Sequence, residues 1–290
     1  MAEVDMFIRQ IADWHSGRRR KGEVRRFLLA FTAFSFFFMA GQAVGADDPG
    51  DAVAKIKSDI LAVLHGIEGT ISHAAKETGR LGLDREAEIR KLLQACNAGR
   101  PYVVDSAFID GKGIMKIIEP GQYRQYEGAD ISKQEAVVQM QRTKKPWMGN
   151  VFVSVEGVKS IDIEYPVFSK ENQFLGSISM LVRGEELIRS VVAAAKIGSS
   201  IKCWVMQKDG LLLYETDPAQ TGLNLFTDPL YKDYPELITL GRRMVKEEEG
   251  KGSYSFPVHG TRNVVKKQAA WETAHFLNND WIIVAYSEVK

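Results

Sequence analysis

The sequence predicts an α+β protein of two tandem modules, each a five-stranded antiparallel sheet with its helices kept apart from it, behind one long N-terminal helix. Three observations predict this. One order of strand-length runs and turns is written twice along the chain. Each copy closes on three strand-length runs separated by turn residues. A single aliphatic stripe at three- and four-residue steps precedes both copies, the mark of an amphipathic helix.

Taken in order, the chain begins with a basic stretch, Arg18, Arg19, Arg20, Lys21, Arg25 and Arg26, followed by FLLAFTAFSFFFMAGQAVGA at 27–46. A basic region, a short apolar core and Val44-x-Ala46 describe an export signal over 1–46 with a cut expected after Ala46. The alternative is an uncleaved membrane anchor over 27–46, short for the roughly twenty apolar residues a spanning helix needs. Val53, Ile56, Ile60, Val63, Leu64, Ile67 and Ile71 then mark the long helix. Gly79 and Gly82 are expected to interrupt it, and Asp84 to cap a second helix carrying Ile89, Leu92, Leu93 and Cys96, ended by Gly99 and Pro101. Together these fill 51–97.

The first copy runs through VVDSAFIDGKGIMKIIEPGQYRQYEGADIS at 103–132. A run ending at Phe108 and Ile109, an Asp110-Gly111 turn and a run from Ile114 to Ile118 form a hairpin, and Gly128-Ala129-Asp130-Ile131 returns the chain. A short helix at 133–142 and strands near 151–155, 160–167 and 174–182 complete a module over 100–188. The second copy, WVMQKDGLLLYETDPAQTGLNLF at 204–226, repeats the hairpin and return. A helix at 235–248 and strands at 252–258, 265–273 and 281–286 then complete a module over 198–290. A period near one hundred residues is too long for a solenoid.

Composition excludes several function classes. A formal net charge of +1 gives no bulk support to nucleic-acid binding. Cys96 and Cys203 fall on apolar patterns in different modules and are read as two buried thiols, without metal or redox spacing. No two histidines are spaced to share a metal on one helix face, Gly-x-Ser-x-Gly is absent, and GIEGTISHAAKETG lacks the Gly-Lys-[Ser/Thr] ending of a phosphate loop. Catalysis is therefore not expected, and neither is a cofactor.

The Asp-Gly hairpin with its Gly-x-[Asn/Asp]-[Ile/Leu] return, EYPVFSKENQFLGSISM closing the first copy and NNDWIIVAYSEV closing the second resemble the double Cache family, over roughly 51–290. These are PAS-like extracytoplasmic sensor domains of bacterial chemoreceptors and histidine kinases. The resemblance implies a membrane-distal first module that holds the ligand and a membrane-proximal second one. It also implies a long helix that runs beside both and pairs with its copy in a homodimer; coverage of the chain's own core is the other reading of that stripe.

In amino-acid-sensing members an Arg-x-Trp-Tyr pattern holds the ligand carboxylate, and an Asp after the fifth strand receives its ammonium. Here the matching stretches are Lys145-Pro146-Trp147-Met148 and Val182-Arg183. Lysine neutralises a carboxylate as a point charge without clamping it, and the ammonium acceptor is missing. The candidate site is accordingly Tyr123, Tyr126, Arg142, Lys145, Trp147, Asp162, Glu164, Tyr165 and Arg183, and a small organic anion is the expected ligand. Asp162 and Glu164 alternate with Ile161, Ile163 and Tyr165 and so face away from the larger apolar set, into solvent or into the pocket. With no second apolar span, heptads or kinase segment after the last strand, the expectation is a periplasmic or singly anchored sensor signalling through a membrane-bound partner. The alternative is a structural or adaptor protein of the envelope with a vestigial pocket.

Overall fold

The computed structural model describes residues 48–289. The expected export signal or anchor lies outside them. Among the described residues no helix is long and apolar enough to cross a membrane.

Helix α1 spans Pro49–Leu81. Asp48 accepts a hydrogen bond from the Gly50 N–H at 2.7 Å and Pro49 occupies the first turn, where its missing N–H costs nothing. Its buried stripe, Ile56, Ile60, Leu64, Ile67 and Ile71 among others, packs against residues of both sheets in one continuous core. Gly79 does not interrupt the helix as expected. It lets a neighbouring strand approach instead: a Cβ there would sit 1.9 Å from the Phe168 carbonyl oxygen. The helix ends at Gly82, whose φ of +92° favours glycine. Helix α2 is Glu86–Asn97; its N-cap is Arg85, which makes no side-chain cap bond, so Asp84 does not play the capping part expected of it.

The first sheet contains β1 (Val103–Asp110), β2 (Met115–Glu119), β3 (Trp147–Met148), β4 (Phe152–Val153), β5 (Lys159–Phe168) and β6 (Phe174–Val182). Their order is β2-β1-β6-β5-β3, with β4 also paired to β5. The strand expected at 151–155 is shortened to β4, and β3 is an unexpected short strand before it, making six strands. The break has a physical cause: side chains of the second module bond the backbone of Met148 and Gly149 and hold the chain away from a continuous ladder. Helix α3 (Glu135–Thr143) lies over this edge. Helix α4 (Gly184–Ala194), which was not anticipated, links the modules and buries Leu187, Ile188 and Val191.

The second sheet contains β7 (Lys202–Gln207), β8 (Leu212–Glu215), β9 (Glu249–Pro257), β10 (Val264–Phe276) and β11 (Asn279–Glu288), in the order β8-β7-β11-β10-β9. Helix α5 (Pro235–Met244) stops short of the expected 248, because Glu249 already starts β9. Every strand pair in both sheets is antiparallel. The two return loops are pinned in the same way, by bridges between Ile114 and Asp130 and between Leu211 and Asn224. The α+β expectation of two modules with a long helix therefore holds, and Cys96 and Cys203 are the buried free thiols expected.

Candidate functional site

Strand alternation divides each sheet into a face packed on α1 and a face turned away from it. In the first module Ile161, Ile163, Ile178, Met180 and Val182 belong to the core shared with α1. The other face carries a different chemistry. Asp105 and Asp162 both lie opposite Leu181 of β6, so the two carboxyls flank one residue across three strands. In the next row on that face Ala107, Ser179, Glu164 and Trp147 stand side by side.

This face is buried and acidic. Asp105 and Asp162 are each 2% exposed and Glu164 is 0% exposed. The Ser179 hydroxyl donates to Asp162 at 2.6 Å and the Ser177 hydroxyl donates to Glu164 at 2.9 Å. Among the described residues Asp105 Oδ2, Glu164 Oε1 and the Trp147 indole N–H have no hydrogen-bond partner. Burial pushes Asp162 up to about 6 and holds Glu164 and Asp105 well above the usual carboxylate range. Neighbouring negative charge adds to each shift: Glu156 acts on Asp162 and Asp105, and Asp162 acts on Glu164 and Asp105. Arg183 opposes the shift at Asp105, and the Ser179 and Ser177 hydroxyls oppose it at Asp162 and Glu164. Desolvated carboxyls that lack a cation stay charged only if something positive is brought to them.

A cavity of about 120 Å³ opens onto this face between α3 and the β3–β4 segment, lined by Ala136, Gly149, Asn150, Val151, Phe152 and Asp162 with Gln134 and Glu135 at the start of α3. Asp162 is the buried charge in that lining.

The other expected site residues are scattered. Tyr123 and Tyr126, on a short 3-10 turn at Gly121–Tyr126, pack against Ala107, Ile109, Met115 and Ile118 at the far end of the same face. That turn is held by Glu119, which is buried and accepts hydrogen bonds from Arg90, Arg124 and Gln94. Arg142 is exposed and donates to Gln139 one turn back on α3, and Lys145 is exposed. Neither is among the side chains lining the cavity. Arg183 is half-buried, 3.8 Å from Glu186. Tyr165 points the other way: its hydroxyl donates to Glu68 of α1, because its position on β5 shares the parity of Ile161 and Ile163.

Asp105, Ser177 and Ser179 were not singled out from the sequence. Their signal was available, since all are polar positions within otherwise apolar strand runs. Reading it required the register that places three strands side by side.

Residues 62–184 match the family described as "HK/GC/Chemotaxis protein-like, sensor domain". A search of the curated proteins found no match. Among solved structures, an extracellular ligand-binding receptor from Desulfohalobium retbaense is similar over 81% of this chain, with 23% identity and a TM-score of 0.67, and the match spans 39% of that receptor chain. The ligand-binding domain of the Pseudomonas aeruginosa amino-acid chemoreceptor PctB, in complex with L-Gln, is similar over 82% of this chain and 88% of its own, with 14% identity and a TM-score of 0.54. The ligand-binding domain of the Campylobacter jejuni chemoreceptor Tlp3, in complex with L-norvaline, covers the same shares, with 10% identity and a TM-score of 0.61. The repeated module and these neighbours agree on the fold, two PAS-like modules beside a long helix, and residues 62–184 are similar to a sensor domain of the HK/GC/chemotaxis type.

Proposed function

We propose that the chain is an extracytoplasmic ligand-binding sensor that recognises a small molecule carrying an ammonium group, held in the first module with Asp162 as its counter-charge. The observation that carries this reading is Asp162 itself, a carboxylate in the lining of a cavity, buried, facing two further buried carboxyls and paired with no cation among the described residues. An ammonium supplies the missing positive charge and can donate to the unpaired Glu164 oxygen as well. The expected organic anion fits this cavity poorly, because Arg142 and Lys145 stand outside its lining while three carboxyls stand behind it. PctB and Tlp3, whose ligands in those structures are amino acids, support an ammonium-bearing class. Signal output is read as passing through a membrane-bound partner.

The test is a thermal-shift and calorimetric screen of amino acids, simple amines and carboxylates against the purified chain and its Asp162→Asn variant. The expected result is a saturable response to an ammonium-bearing compound that falls at least tenfold in the variant. A response confined to carboxylates, or one that Asp162→Asn leaves intact, overturns the reading.

A further inference from the structure

The second module repeats the architecture of the first, and on the matching face, away from α1, it also buries charge. Glu215 of β8 and Lys267 of β10 are 5% and 3% exposed. Both line a narrow cavity of about 20 Å³, walled by Trp204, Tyr231, Tyr254 and Phe256. They do not pair with each other. Lys267 Nζ donates to the Pro257 carbonyl at 3.2 Å and otherwise lies over aromatic rings, 5.3 Å from the centre of Phe256 and 4.8 Å from that of Tyr286. Glu215 Oε1 accepts from the Asp217 N–H at 3.2 Å and from the Tyr286 hydroxyl at 3.3 Å, which leaves Oε2 without a partner among the described residues.

A buried lysine without a carboxylate is costly unless something anionic reaches it. The aromatic and leucine walls around it suit a small apolar group, and the volume admits only a few heavy atoms. Burial also pushes the Glu215 carboxyl up to about 7, so that below that pH it acts mainly as a hydrogen-bond donor rather than a competing anion.

We propose that the second module holds a ligand site of its own for a short monocarboxylate of formate or acetate size, its charge met by Lys267 and its second oxygen by the Glu215 carboxyl. The site is separate from the ammonium site of the first module and does not depend on it. It also gives the anion expected from the sequence a home in the module where it was not sought.

The experiment titrates the purified full chain with sodium formate and sodium acetate, with sodium chloride at matched ionic strength and sodium benzoate as the oversized probe. Melting temperature and saturation-transfer NMR are the two readouts. The expected result is a saturable response to formate or acetate and none to benzoate, lost at least tenfold in Lys267→Met, kept within about threefold in Glu215→Gln, whose amide still donates, and unchanged in Asp162→Asn. Should Lys267→Met fail to fold, NOEs from the acetate methyl to Trp204 and Tyr254 ring protons in the unaltered chain decide the matter. Absence of any saturable response, absence of those NOEs, or a response lost in Asp162→Asn instead of Lys267→Met overturns the proposal.

Discussion

Asn278, in the turn between β10 and β11, accepts a hydrogen bond from the Met148 N–H at 2.8 Å and donates one to the Met148 carbonyl at 2.9 Å. A side chain of the second module thus pairs with β3 of the first as a neighbouring strand would. Asn279 adds a bond to the Gly149 carbonyl at 3.0 Å, and Gln207 accepts from the Val151 N–H at 3.0 Å. Gly149, Asn150 and Val151 also line the acidic cavity, so one wall of the first module's site is fastened to the second sheet. A ligand that moves this wall must also act on the turn that holds it. Asn278→Ala leaves the Met148 N–H without its partner and the Met148 carbonyl with only the 3.4 Å bond from Asn279, and should cost about 1–3 kcal/mol of stability. Hydrogen exchange at the Met148 amide should accelerate along with it. Unchanged exchange there would show that the two modules are not joined at this point.

The helix–sheet junction gives a second prediction. At Gly79 a methyl group would overlap the Phe168 carbonyl, which is backbone and cannot swing aside. Gly79→Ala should therefore destabilise the chain by about 3 kcal/mol or more. Gly66, on the exposed side of the same helix, has no atom within 4 Å of an added Cβ. Gly66→Ala should stabilise by up to about 1 kcal/mol through helix propensity alone. Urea denaturation of the pair checks both signs, and equal behaviour would mean that α1 does not pack as described.

The fold was legible because its signals are local and repeated: the α1 stripe, two Asp-Gly hairpins and three strand runs in each copy. Asp84 was misread because a capping residue in sequence says nothing of where the preceding glycine turns the chain. The split of β3 from β4 was hidden because its cause, Asn278 and Asn279, lies some 130 residues away. The site was less legible than the fold. Alternation alone separated Asp162 and Glu164 from the α1 face, yet it could not say that Asp105 joins them across β6. Tyr165 shows the opposite failure, since its own parity with Ile163 already turned it toward α1.

Lys145 offers a third prediction. The family pattern marks it as the ligand's cation, but it is exposed and stands outside the cavity lining. Lys145→Ala should change the affinity of an ammonium-bearing ligand by less than twofold in calorimetry. Trp147→Ala should lower both affinity and melting temperature, because the indole shares a sheet row with Glu164 and is half-buried. A tenfold loss in Lys145→Ala would restore the cation to the site.

The fourth prediction concerns pH. Asp162 titrates near 3.8 in an unfolded chain and near 6 in the folded one. A folded-state value raised in this way gives stability that is fully present below about pH 4 and lost as pH rises through about 6. The groups facing Asp162 act in the same direction, since Glu164 and Asp105 are also raised and Glu156 repels. Glu119, Glu127 and Asp217, which are held below their ordinary values, act in the opposite one, so the comparison must be made between chains. Between pH 4.5 and 7.5 the unaltered chain should lose about 2 kcal/mol more than Asp162→Asn, which has no proton to release. An ammonium ligand should return that stability at pH 7.5, where the carboxylate it meets is ionised, and much less at pH 4.5. Parallel stability curves for the two chains across this range would mean that Asp162 carries no buried charge for a ligand to neutralise.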